Sequence, residues 1–160
     1  MQFRKTHQAR LLTTVLYCIV SCSLMAFKDG DGLRQLAEQT MTKLNSFYQS
    51  NGDKIKLKKY DLVINEEGFF RYRKYLINGK QEYYSFNVIR LKDVDYFGTS
   101  VSGTLILRTR SEDVIVQTYN DPKGNVDSMA YQVELPVNGI EAEDLHAIRE
   151  NLLKIRRELE

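Results

Sequence analysis

Three hydrophobic patterns divide the chain. The first is an unbroken apolar run at residues 11–20 (LLTTVLYCIV), behind a polar and positive stretch at residues 1–10 (MQFRKTHQAR). This order, a cationic segment and then an apolar one, is that of a secretory signal peptide. Continued to Phe27 the apolar segment reaches 17 residues, the short limit for a bilayer-spanning helix, and Thr13, Thr14, Ser21 and Ser23 dilute it.

The second pattern has helical period. Leu33, Leu36, Ala37, Met41, Leu44, Phe47 and Tyr48 recur at spacings of three and four, with polar residues mostly between them. They predict a helix over about 32–49, with Asp31 as N-cap and Asn51-Gly52 as its stop. Near the C-terminus Leu145, Ile148, Leu152, Ile155 and Leu159 form a narrower stripe. They predict a helix over about 140–158 that packs on a sheet; five positions are too few for a coiled-coil seam.

The third pattern is the alternation of strands. Segments 56–65, 69–77, 81–91, 94–99, 104–110, 113–119 and 130–137 read as consecutive antiparallel strands. Asn78-Gly79 is the clearest turn, because a two-residue hairpin loop needs the positive φ that this dipeptide accepts. Asp121-Pro122-Lys123-Gly124-Asn125 is a loop. The expectation is an α+β domain: an N-terminal helix, an antiparallel sheet or small barrel of six or seven strands, and a C-terminal helix. This element order resembles a pleckstrin-homology-like barrel with an added N-terminal helix, although the chain lacks the tryptophan that many such domains carry in the final helix.

Composition changes the picture in one respect. Arg4, Lys5 and Arg10 lie in the first 21 residues, which hold no acidic residue; without them 20 basic side chains face 21 acidic ones. The formal +2 therefore belongs to the leader and is no nucleic-acid footprint. The two cysteines, Cys18 and Cys22, lie in this leader region, within the first 22 residues, so the rest of the chain has no disulfide framework.

Ile19-Val20-Ser21-Cys22 resembles the lipobox of bacterial lipoproteins. The resemblance covers the first 22 residues and implies lipid attachment at Cys22, cleavage before it, and a chain anchored at the cell envelope outside the cytoplasm. Ser23 after the cysteine implies the outer membrane in a Gram-negative host. Leu24-Met25-Ala26-Phe27 departs from the polar start common in that family, and leaves open a cut after Ser23 to give a secreted protein, or an uncleaved anchor. Residues 1–21 are thus expected to be a signal peptide, 22–31 a tether, and 32–160 one domain.

Candidate chemistry is sparse. His146 is the one histidine beyond the leader, and no zinc spacing, nucleophile elbow or phosphate loop is present. Residues 98–103 (GTSVSG) read as a loop, and Asp29-Gly30-Asp31-Gly32 lacks the spacing of a calcium loop. Asp93 and Asp95 would share a strand face, as a cation or acid–base pair would require. No catalytic residue, metal or cofactor is expected. Residues 54–80 carry eight basic against three acidic side chains. With a two-residue Asn78-Gly79 loop, Arg73 would face Tyr84 and Arg71 would face Phe86, on one face with Phe69 and Tyr75. Such an Arg/aromatic face suits another envelope protein, a glycan or an anionic headgroup. The expected function is that of a non-enzymatic, membrane-anchored binding module; the alternative is a secreted small barrel that carries an apolar ligand.

Overall fold

The computed structural model describes residues 28–49 and 56–160. Cys18, Cys22 and the expected signal peptide lie outside the described residues. The chain divides into two units, Met1–Arg34 and Gln35–Glu160. The described part of the first is the opening of α1 (Lys28–Phe47), and the second holds everything considered below. This helix starts four residues ahead of its predicted beginning, so Asp31 lies inside it and is not its cap. Gly30 and Gly32 are accommodated at a cost of about 1 kcal/mol each relative to alanine.

Eight strands follow: β1 (Leu57–Ile64), β2 (Phe69–Leu76), β3 (Gln81–Asn87), β4 (Leu91–Gly98), β5 (Ser102–Thr109), β6 (Val114–Tyr119), β7 (Asp127–Ala130) and β8 (Gln132–Asn138). The chain ends in α2 (Ala142–Leu159). The fold is α+β, with the two helices flanking antiparallel sheets. The strands do not pair simply in chain order. One sheet runs β1-β2-β3-β6-β7 and the other β4-β5-β8.

Two breaks create this arrangement: the first divides segment 81–91, predicted as one strand, and the second separates β8 from β7, of which only Ala130 falls in a predicted strand. At the end of β3 the Asn87 side chain accepts a hydrogen bond from the Ile89 amide at 3.0 Å and caps a short 3-10 turn, Val88–Arg90. The turn carries the chain from the first sheet into β4 of the second. At Tyr131 the chain changes sheets again: Asp127–Ala130 pairs with β6, whereas Gln132–Asn138 pairs with β5.

The core follows from the alternation. Leu62, Phe70, Tyr72 and Phe86 are buried from the first sheet, and Leu105, Leu107, Val133, Leu135 and Val137 from the second. Phe70 and Phe86 are cross-strand partners with ring centroids 5.1 Å apart. The helices supply Ala37, Met41 and Leu44 from α1 and Ile148, Leu152 and Ile155 from α2, each a stripe at helical spacing. Leu145 and Leu159, the outer positions of the predicted α2 stripe, are only half-buried.

Polar contacts set the placement of the helices. Asn45 donates to the Leu62 carbonyl at 3.0 Å. The Gln49 amide donates to the Pro136 carbonyl at 2.9 Å, so the end of α1 meets both sheets. Arg156 of α2 donates to the Leu91 carbonyl at 2.9 Å. Glu143 and Asp144 in the first turn of α2 and Arg156 and Arg157 in its last complement the helix dipole.

Candidate functional site

The β2–β3 turn decides which side chains share a surface. The Gly79 amide donates to the Leu76 carbonyl at 3.0 Å, and the Leu76 amide to the Lys80 carbonyl at 2.9 Å. The loop is therefore Ile77-Asn78-Gly79, three residues long, with Gly79 in the left-handed region at φ +86. A type I turn closed by a left-handed glycine is the usual three-residue hairpin. One residue more than predicted shifts the register by one, and every pairing across the hairpin changes.

The consequence for the expected face is direct. Tyr72 pairs with Tyr84 and Phe70 with Phe86, while Arg71 pairs with Ser85 and Arg73 with Tyr83. Phe86 is 2% exposed and belongs to the core. Tyr84 points to the same inner side, where its ring stacks on Tyr72 at 5.6 Å. Arg71 and Arg73 are exposed on the opposite side. The structure thus separates the two arginines from Tyr84 and Phe86.

A different cation–aromatic cluster forms on the outer face. Register places Lys59, Tyr75 and Gln81 in one row, Asp61, Arg73 and Tyr83 in the next, and Val63, Arg71 and Ser85 in the third. The Arg73 guanidinium lies 5.1 Å from the Tyr83 ring centroid, and its Nη1 donates to the Tyr75 hydroxyl at 3.2 Å. The Lys59 ammonium sits 5.3 Å from the Tyr75 centroid and 3.0 Å from Asp61. Arg71 forms no ion pair among the described residues. Across β3 the same rows continue to Ile115, Gln117 and Tyr119 of β6, then to Met129 and Asp127 of β7. Val63 is 46%, Ile115 36%, Tyr119 44% and Met129 49% exposed, so cationic, aromatic and aliphatic groups lie on one solvent-facing sheet surface.

Hydrophobic parity was the signal that locates this surface. In β2 the even positions Phe70, Tyr72 and Leu76 are buried, and only a register that matches them to Tyr84 and Phe86 keeps one apolar side. Tyr83 then joins Arg71, Arg73 and Tyr75, which share this face along β2 as expected.

The inner side carries a second polar arrangement. Glu82 receives the Lys74 ammonium at 2.7 Å and the Lys80 ammonium at 3.0 Å, and Lys80 also reaches Asp121 at 2.9 Å. All four side chains are 18% exposed or less. Burial raises the Glu82 carboxyl, but the two lysines outweigh it and hold the group below its ordinary pKa. Lys74 lies 5.7 Å from the Tyr72 ring centroid and 5.8 Å from that of Tyr84. Burial first, and the Glu82 charge second, push the Tyr84 phenol above its ordinary value. Beside this network the Tyr48 and Tyr72 hydroxyls are 2.8 Å apart, and the Tyr48 ring packs 4.1 Å from Tyr60.

The carboxylates considered for chemistry are committed elsewhere. Asp93 accepts two bonds from Arg149 of α2, at 2.9 and 3.1 Å, which hold its pKa below the usual range. Asp95 is paired with Arg108 across β4–β5. His146 is exposed on α2. In residues 98–103 the Tyr96 hydroxyl donates to the Thr99 carbonyl at 2.5 Å, and the side chain packs so closely on Gly103 that a Cβ there would come within 2.4 Å of the hydroxyl oxygen. That segment is a tight β4–β5 connection. No group of three or more His, Cys, Asp or Glu able to hold a metal ion occurs among the described residues. No described helix is long and apolar enough to cross a membrane.

Comparison of the chain with protein-family models, with curated proteins and with solved structures gave no match in any of the three.

Proposed function

We propose that the protein is a non-enzymatic binding module, held at the cell envelope by a lipid on Cys22, and that it engages an anionic partner through the outer face of the first sheet. The observation that carries this reading is the cluster of Lys59, Arg71 and Arg73 beside Tyr75 and Tyr83, in which Arg71 has no ion-pair partner among the described residues. Arginine over an aromatic ring keeps its planar fork of donors available for a carboxylate or phosphate. Neighbouring exposed Val63 and Ile115 add apolar area of the kind found at the centre of protein interfaces. Binding is favoured over catalysis because Asp93 and Asp95 are each neutralised by an arginine. The carrier alternative draws no support from the inter-sheet cleft, whose lining includes Lys74, Gln132 and Glu134.

Two measurements test the reading. Intact mass of the protein from the membrane fraction of its host should show a chain that begins at Cys22 and carries acyl mass, absent in Cys22→Ala. Crosslinking in the same host should capture a partner that the Arg71→Glu/Arg73→Glu variant loses, with circular dichroism unchanged. An unmodified soluble chain would refute the anchor, and an unaltered set of partners would refute the face.

A further inference from the structure

The cleft between the two sheets points to a second site, independent of the outer face. It measures about 390 Å³ and is walled by Lys74 and Tyr84 on one side and by Thr104, Gln132, Glu134 and Pro136 on the other. That lies at the lower end of the volumes, about 300–1,000 Å³, found for small-molecule sites. Gln132, Glu134 and Pro136 alternate along β8, so the cleft follows that strand for about 13 Å at 3.3 Å per residue.

Its cation and its amide are already engaged. Lys74 is paired with Glu82 at 2.7 Å. The Gln132 amide is fixed at both ends: its oxygen accepts from Arg108 at 2.8 Å, and its nitrogen donates to one Glu134 oxygen at 2.6 Å. Arg108 is in turn paired with Asp95. The second Glu134 oxygen and the Thr104 hydroxyl make no hydrogen bond among the described residues. They are diagonal neighbours, since Thr104 stands opposite Pro136 and Ile106 opposite Glu134.

An anionic ligand would have to displace Glu82 from Lys74 and would lose a charge-assisted bond in doing so, and a cation would meet one free carboxylate oxygen in a cleft that also holds the Lys74 ammonium. A neutral ligand with several hydroxyls displaces no ion pair and meets no like charge. It can donate to Glu134 and exchange a bond with Thr104, while its C–H groups lie against Pro136 and the Tyr84 ring. We propose that this cleft binds a neutral saccharide of one or two sugar rings.

The test is titration of the ¹⁵N-labelled full-length chain with glucose, N-acetylglucosamine and cellobiose, with glycine and inorganic phosphate as ionic comparators. At least one sugar should shift amides of residues 132–136 and of Lys74, Tyr84 and Thr104, with a dissociation constant near ~1 mM. Glu134→Ala should weaken that binding about tenfold, the loss expected for a hydrogen bond to a charged acceptor. Thr104→Val should weaken it less, and Arg71→Glu/Arg73→Glu should leave it unchanged. Urea midpoints equal to wild type would show that the variants remain folded. The proposal is overturned if no sugar shifts these amides, if glycine or phosphate shifts them and the sugars do not, or if sugar binding survives Glu134→Ala and Thr104→Val intact.

Discussion

Replacing Glu82 by leucine removes the carboxylate that lies 2.7 Å from the Lys74 ammonium, which stays beside two tyrosine rings. The two side chains are only 12% and 18% exposed, so little water is at hand to take the place of the carboxylate. Removing one partner of a fully buried pair costs about 3–5 kcal/mol. Here the residual exposure and the cation–π contacts reduce that, and about 2 kcal/mol is expected. Lys80 adds little to the loss because it keeps Asp121 at 2.9 Å. Lys74→Met should cost about 1 kcal/mol, since Glu82 keeps Lys80, whereas the double variant removes both charges and should also cost about 1 kcal/mol. The double-mutant cycle therefore predicts a coupling of about 2 kcal/mol. Urea unfolding at pH 7 measures all four proteins. If the double variant costs the sum of the single ones, the pair is not coupled and the desolvation argument fails.

The same carboxyl gives a pH dependence with a definite sign. The Glu82 pKa is lowered in the fold, so its contribution is complete above the unfolded-state value and is lost as pH falls through the folded one. Wild type should lose more stability on acidification than Glu82→Gln, and equal losses would contradict the assignment. Asp93→Asn removes a pair whose side chains are 41% and 40% exposed, so urea unfolding at neutral pH should register less than about 1 kcal/mol. Because Arg149 lowers the Asp93 pKa, a carboxyl ¹³C titration should place its midpoint below that of an ordinary aspartate. Gly103→Ala forces a Cβ against Tyr96 and within 2.7 Å of the Phe97 carbonyl, and should cost about 1–3 kcal/mol by the same unfolding assay. Gly79→Ala, at φ +86, should cost about 1 kcal/mol, and Gly79→Asn distinctly less.

Local patterns carried the reading of the secondary structure. The stripes of α1 and α2 contain the residues that are buried, because a helix can present only one side to a core. Alternation in β2 likewise survives intact, with Phe70, Tyr72 and Leu76 inside and Arg71 and Arg73 outside. The candidate face was legible only in part. Its arginines and Tyr75 were named from sequence, but their cross-strand aromatic neighbours were taken from a two-residue loop. Asn78-Gly79 is compatible with loops of two or three residues, and the dipeptide alone does not distinguish them.

By itself, then, the sequence determines the helices and most of the strands, which side of each is apolar, and that the basic excess and both cysteines lie within the first 22 residues; these properties are read from residues close together along the chain. Tertiary structure alone decides the pairing of β3 with β6, the changes of sheet at Asn87 and Tyr131, and the matching of Tyr72 to Tyr84. It also decides that Asp93 and Asp95 are held by Arg149 and Arg108, and that Lys74 and Glu134 line one cleft. Each of these joins residues distant along the chain or selects among registers that local propensity leaves equal. Only simultaneous burial of the apolar sides of both sheets and both helices selects one arrangement.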